Sequence, residues 1–189
     1  MQNEEALVCS AQQGDGAAFS ELYEENFSKV YRYLMLRVGD KAEAEDMTQQ
    51  VFIKAFEALP GYRWQGAPFA SWLFRIAHNQ VIDRQRKQSK RSSAAIGDLD
   101  LASDECTEEA VETKLTVEEI VAASKDLTVA QREVIGLRFG AEMSTAEVAH
   151  IMGKSEGAIK ALQHSAVVAL RIRMRAGPGG APGNAQARP

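Results

Sequence analysis

Apolar residues recur along this chain at steps of three and four, and no stretch sustains an alternation of period two. That spacing places apolar side chains on one face of a helix, whereas a half-buried strand needs every second residue apolar. The expected fold class is therefore all-α. Phe19, Leu22, Tyr23, Val30, Tyr31, Leu34 and Val38 form a long amphipathic stretch that Gly39 ends. Asp40 with Glu43 three residues on reads as a reciprocal cap for a second helix, whose stripe is Ala44, Met47, Val51, Ala55 and Leu59. Pro60 and Gly61 stop it, a loop covers 61–68, and a third helical run over 69–90 turns Leu73, Ile76, Ala77 and Val81 inward.

The charge is distributed unevenly. Lys and Arg number 22 against 26 Asp and Glu, a net charge of −4 that argues against a simple nucleic-acid binder. Divided along the chain, however, the basic residues gather at two places. Arg84, Arg86, Lys87, Lys90 and Arg91 stand against Asp83 alone, and Lys154, Lys160, Arg171, Arg173 and Arg175 against Glu156. Between them, 98–119 holds nine acidic residues and only Lys114. Two basic modules and an acidic connector describe a protein that binds DNA weakly alone and better with a partner. The expected organisation is two small helical domains, 1–91 and 126–175, joined by a flexible acidic linker over 92–125. A Gly/Pro-rich tail over 176–189 is too poor in apolar surface to order itself.

Other classes are excluded on similar grounds. No run of about eighteen apolar residues occurs and the start lacks a basic–apolar leader, so the chain reads as cytoplasmic with no membrane span of its own. Cys9 and Cys106 have no companions at ligand spacing, so neither a disulfide framework nor a metal site is expected, and no cofactor either. His78, His150 and His164 fall on separate helices, no phosphate-cradling loop appears, and Glu45-Asp46 has no catalytic partner. No catalytic residue is assigned.

The second domain carries a helix-turn-helix pattern. Thr128 with Gln131 and Ser144 with Glu147 each form a capping box, Gly153 supplies a left-handed turn residue, and Ser155 caps the next helix. On that last helix Ile159, Leu162, Ala166 and Leu170 share the inner face, while Lys160, His164 and Arg171 point away. A groove-reading helix presents its N-terminal residues to base edges, which nominates Ser155, Glu156, Lys160, Gln163 and His164. An ordinary helical hairpin with a solvated face shares this pattern, and a stand-alone dimeric regulator is the alternative function.

In the first domain, Asp46, Gln50 and Lys54 follow at four-residue steps, with Gln49 and Phe52 beside them, a polar stripe flanked by expected exposed aromatic surface. Tyr62, Trp64, Phe69, Trp72 and Phe74 cluster around the loop ahead of the basic run, as single-stranded DNA binding requires. Trp72 and Phe74 are expected to be at least partly buried and Trp64 exposed.

Segments in both domains resemble the extracytoplasmic-function sigma factors. Residues 127–171, with QREV, a Leu-Arg pair, S-x-x-E-V-A, a Gly turn and G-x-I-K, resemble the family's region four; Leu162 and Ser165 depart from the Arg many relatives carry. AEAEDMTQQVFIKAF (42–56) is similar to the region two segment that docks on polymerase, and FASWLFRIAHNQVIDRQRK (69–87) to the minus-ten segment, although Gln65-Gly66-Ala67-Pro68 replaces the usual Arg-Gly-Asp-like loop. The resemblance implies that Asp46, Gln49, Gln50, Phe52 and Lys54 bind core RNA polymerase. It further implies that Trp64, Phe69, Asn79, Arg84, Arg86 and Lys87 contact the minus-ten element, and the recognition-helix residues the minus-thirty-five element. Core RNA polymerase, promoter DNA and an anti-sigma factor are the implied partners. The acidic linker is expected to mimic nucleic acid in a basic polymerase channel, and the free chain to be compact, with its domains hiding each other's DNA surfaces.

Overall fold

The computed structural model describes residues 2–64, 66–94 and 117–176, all of the regular structure there being helical. Helix α1 (Gln2–Gln12) leads into α2 (Gly16–Val38), α3 (Lys41–Ala58), a 3₁₀ turn (Leu59–Gly61) and α4 (Phe69–Ala94). After the acidic segment come α5 (Val117–Ser124), α6 (Val129–Ile135), a π-helical turn (Gly136–Gly140), α7 (Thr145–Met152) and α8 (Glu156–Ala176). Most of the expected acidic linker, and the expected Gly/Pro tail, lie outside the described residues.

Local chemistry sets the helix ends. Asp15 accepts hydrogen bonds from the amides of Ala17 and Ala18 to open α2, and Gly39, at φ +74°, closes it in the left-handed region that a residue with a Cβ resists. Asp40 accepts from the Glu43 amide, but the Glu43 carboxylate is engaged by the Arg84 guanidinium on α4 rather than by the Asp40 amide. A tertiary ion pair thus replaces half of the expected capping box. Both boxes in the second domain are complete, and Gly153, at φ +62°, makes the turn before α8.

Helices α2, α3 and α4 pack around Leu22, Val30, Leu34, Val51, Leu73 and Phe74, all essentially inaccessible to solvent, and α1 lies across this bundle through Val8 and Ala11. Burying each such side chain contributes on the order of 1.5–3 kcal/mol. In the second half, Leu127, Ile135 and Ala166 form a small core between α6 and α8, while Val148 and Ile159 join the larger cluster. The halves pack on each other where the π turn meets α2. A Cβ on Gly136 would stand 3.0 Å from the Tyr33 ring, and one on Gly140 3.3 Å from the Tyr33 backbone nitrogen. Only glycine admits so close an approach of one backbone to another.

Candidate nucleic-acid interface

The junction between the halves is held by one carboxylate. Glu133 on α6 is buried, 3% exposed. Its Oε1 accepts from the Tyr33 hydroxyl at 2.6 Å and meets His78 Nδ1 at 2.9 Å, and its Oε2 lies 2.8 Å from Arg37 Nε. Burial alone would raise this carboxyl, but the His78 bond, the Arg37 charge and the Tyr33 hydroxyl bring it below the usual carboxylate range. Burial and the nearby Glu133 charge push the Tyr33 phenol well above its ordinary value. Two further contacts reinforce the junction. Arg32 meets the exposed Glu142 at 2.9 Å, and Ser71 Oγ donates to Glu147 Oε1 at 2.8 Å.

Beside that Ser71–Glu147 bond opens a recess of about 320 Å³ at the 61–68 loop. Its walls include Tyr62, Arg63, Trp72 and Arg75 from the first half and His150 from α7 of the second. The Tyr62 and Trp72 rings lie 4.7 Å apart. Aromatic faces and two guanidinium groups around one hollow are the components that hold an unstacked base and its phosphates.

Among the residues nominated for the minus-ten surface, Asn79, Arg86 and Lys87 are exposed on α4. Trp64 and Trp72 are both half-buried, so the exposure expected for Trp64 alone is not found. Phe69 requires correction: at 1% exposure it packs with Tyr62 and Trp72 inside the core and offers no face to a base. Its position four and eight residues before Leu73 and Ala77 on the inner stripe of α4 is the reason. Arg84 is already paired with Glu43, and Arg86 lies 3.7 Å from Asp83.

On α3, Asp46, Gln49, Gln50 and Lys54 are exposed, whereas Phe52 is 4% exposed against Tyr23 and Phe27. The expected exposed aromatic at Phe52 is thus a core residue, drawn inward by the aromatic row of α2; Ile53 and Phe56, each more than half exposed, provide the outer apolar surface instead. Asp46, Gln50 and Lys54 share a groove of about 420 Å³ with Asp83 and Lys87 of α4. Gln80 lines that groove, buried, with neither end of its amide hydrogen-bonded among the described residues. Sequence reasoning passed over it because an amide on an inner helical face gives no sign of lacking a partner.

On α8, Glu156, Lys160 and His164 are exposed, and Ile159 and Ala166 are buried beneath them. Ser155 Oγ accepts from the Ala158 amide as the helix cap. Gln163 is half-buried and accepts from Arg138 Nε at 3.2 Å, while the same guanidinium donates to the Met143 carbonyl, tying α8 to the loop before α7. Arg63 and Arg75 were not singled out from sequence, and Glu133 and Arg138 entered only within the region-four motif, without a role, since their partners lie in other elements.

Comparison with known proteins matches residues 22–91 to sigma-70 region 2 and 125–171 to sigma-70 region 4. The chain is similar to the ECF RNA polymerase sigma factor BldN of Streptomyces coelicolor, 39% identical over 166 residues, covering 87% of this chain and 63% of that protein, less than two thirds of its length. It is 30% identical over 170 residues to the ECF RNA polymerase sigma factor SigL of Mycobacterium tuberculosis, covering 90% of this chain and 96% of SigL. In fold it is similar to CnrH in complex with the cytosolic domain of CnrY, with a TM-score of 0.69 and 22% identity over 93% of this chain and 99% of that one. It is also similar to the sigma factor RpoE in complex with the anti-sigma factor NepR from Bartonella quintana, with a TM-score of 0.71 and 22% identity over 85% and 98%.

Proposed function

The chain belongs to the ECF RNA polymerase sigma factors of the sigma-70 family, and from that premise we propose how it selects a promoter. Its family role is promoter-specific transcription initiation with RNA polymerase, as a specificity subunit without catalytic activity. The finer reading assigns the two elements to the two halves. The observation that carries it is the recess at the 61–68 loop, where Tyr62, Trp72, Arg63 and Arg75 converge next to the exposed Asn79, Arg86 and Lys87 of α4. A base captured there gains roughly 1–3 kcal/mol of stacking, which offsets much of the few kcal/mol needed to unpair it. Melting then proceeds without a fuel molecule. The second half reads duplex at the minus-thirty-five element through Ser155, Glu156, Lys160, Gln163 and His164.

Docking on core polymerase is assigned to the α3 groove, where Asp46, Gln50 and Lys54 form a polar rim. Gln80 holds an unused donor and acceptor there, and Ile53 and Phe56 supply apolar anchors. Phe52 and Phe69 act from within the core, supporting these surfaces. An anti-sigma factor is the third partner, by analogy with the complex of RpoE with the anti-sigma factor NepR. Because His150 of α7 borders the recess, docking on polymerase is taken to draw α7 away from its rim, the exposed Asn79, Arg86 and Lys87 being accessible throughout. Run-off transcription with purified core polymerase tests the reading: specific initiation requires both chain and core. Tight promoter binding by the chain without polymerase would favour the stand-alone regulator instead.

A further inference from the structure

Helix α1 lies outside both matched family segments, the first of which begins at residue 22. Its apolar side chains dock it on the bundle, with Val8 and Ala11 buried and Leu7 packed beside them. Its polar side chains make contacts distant in sequence. Gln12 Nε2 donates to the Leu59 carbonyl at 2.9 Å and to the Tyr62 carbonyl at 2.7 Å. Glu4 Oε1 accepts from the Phe69 amide at 2.9 Å. Leu59 and Tyr62 are where the chain enters the 61–68 loop; Phe69 is where it leaves as the first residue of α4. Both ends of the loop are therefore fastened to one rigid rod, on which eight residues span about 12 Å.

Each contact suits its place. The first amides of a helix have no partner within the helix, and a carboxylate there satisfies one donor while complementing the positive end of the peptide dipoles. Glu4 provides that carboxylate for α4 from a different element. Its charge also reaches Tyr62, whose hydroxyl is pushed above its ordinary range first by burial and then by Glu4. At the other end, the Leu59 carbonyl also accepts from the Tyr62 amide at 3.0 Å, so losing Gln12 leaves that carbonyl bonded while removing the hydrogen bond to the Tyr62 carbonyl. Tyr62 forms one wall of the recess.

We propose that Gln12 and Glu4 are positioning residues for minus-ten selectivity, α1 acting as a splint that fixes the loop ends and hence the distance between Tyr62 and the α4 wall of the recess. Neither residue lines the recess, so both act through the loop. The proposal rests on the assignment of that recess to the minus-ten element.

The test uses holoenzyme reconstituted from core polymerase and the full chain, on two promoter libraries. One has randomised minus-ten positions and the other randomised minus-thirty-five positions, both read by sequencing the run-off transcripts. Gln12→Glu keeps size but replaces the donor with a carboxylate facing two carbonyls; Glu4→Ala removes the helix cap; Glu4→Gln retains an acceptor oxygen. Gln12→Glu and Glu4→Ala should each flatten minus-ten preference by about three- to tenfold, the range of one lost hydrogen bond. Minus-thirty-five preference and core binding should be unchanged, and Glu4→Gln should restore selectivity. Should Gln12→Glu fail to fold, the contrast between Glu4→Ala and Glu4→Gln decides alone. Wild-type preference intact in Gln12→Glu and Glu4→Ala, yet abolished by a Trp72→Ala control, would overturn the splint while leaving the recess assignment standing. Preference that survives Trp72→Ala as well would overturn both.

Discussion

The two surfaces proposed to read DNA differ in what surrounds them. On α8, Glu156, Lys160 and His164 stand in solvent above a buried seam of Ile159 and Ala166, with both neighbouring capping boxes closed. At the 61–68 loop, the recess shares its rim with His150 of the other half, Ser71 at its edge is bonded to Glu147, and Arg84 and Arg86 have acidic neighbours within their own domain. The α8 surface lies wholly on one half, whereas the recess is bordered by both, with Arg63, Arg75, Asn79, Arg86 and Lys87 already exposed around it. The Glu133 junction touches no nominated DNA contact and yet ties together the two halves that border the recess.

Breaking that junction should have the largest effect. Glu133→Gln removes the charge while leaving the Arg37 side chain, 1% exposed, without its partner. Removing one member of a buried pair costs on the order of 3–5 kcal/mol because the remaining charge stays desolvated. The expected outcome is separated halves with their helices retained: a larger radius of gyration by small-angle X-ray scattering, unchanged far-ultraviolet circular dichroism and a lower melting temperature. A variant as compact as the wild type would assign the cohesion to the apolar contacts of the π turn instead.

Acid should reproduce part of this. The folded-state Glu133 carboxyl lies below its ordinary value of 4.5, so its contribution is fully present above that value and lost as pH falls through the lower folded value. Glu147, half-buried, is also lowered: burial opposes, but the Ser144 and Ser71 bonds prevail, so it acts in the same direction with a smaller, solvent-screened weight. Scattering dimensions should stay constant from neutral pH to about 5 and expand below the carboxylate range. Glu133→Gln should remove most of that dependence; a transition of equal size in the variant would locate it elsewhere.

The comparison sharpens if the α8 surface is altered alone. Lys160→Ala with His164→Ala should weaken recognition of the minus-thirty-five element by about 1–3 kcal/mol, the scale of a lost base contact. Melting temperature and minus-ten preference should be unchanged. Equal affinity of variant and wild-type holoenzyme for minus-thirty-five duplex would remove α8 as the reading element.

What was legible in sequence follows the same division. The capping boxes at Thr128 and Ser144, the glycine ends at Gly39 and Gly153 and the inner stripe of α8 depend on neighbours within a few residues, so spacing alone revealed them. Glu133 could not be read this way, since Tyr33 lies 100 residues away and His78 lies 55. Phe69 was misjudged because proximity to basic residues was weighed above its helical register with Leu73 and Ala77. Phe52 was misjudged because the buried arc of α3 is wider than the Val51 stripe, with Thr48 buried as well and Phe52 turned toward Tyr23 and Phe27 of α2. Helix α1 was not anticipated at all: QNEEALVCSAQ has few apolar positions and no sequence capping pair, and it is helical where the bundle receives Val8 and Ala11.

The smallest effect expected is from Gly140→Ala, and its sign rests on two opposing terms. In a helical turn alanine is favoured over glycine by up to about 1 kcal/mol, because glycine loses more backbone freedom on folding. Against this, the added Cβ would stand 3.3 Å from the Tyr33 backbone nitrogen and 3.4 Å from its Cα. Those atoms belong to the interior of the 23-residue helix α2 and cannot move aside as a flexible side chain could. Overpacking of this kind costs about 1–3 kcal/mol, so the net is a destabilisation on the order of 1 kcal/mol, confined to the junction. Glu133 keeps its charge and neither DNA surface is altered, which makes the variant a graded opening rather than a break. It should lower the melting temperature modestly and loosen the junction at the recess edge, measured as faster labelling of a cysteine substituted for the buried Ser71, after Cys9 and Cys106 have been replaced. Labelling no faster than in the glycine parent would show that the π turn can shift past Tyr33 without parting the halves, and would leave Glu133 alone as the latch.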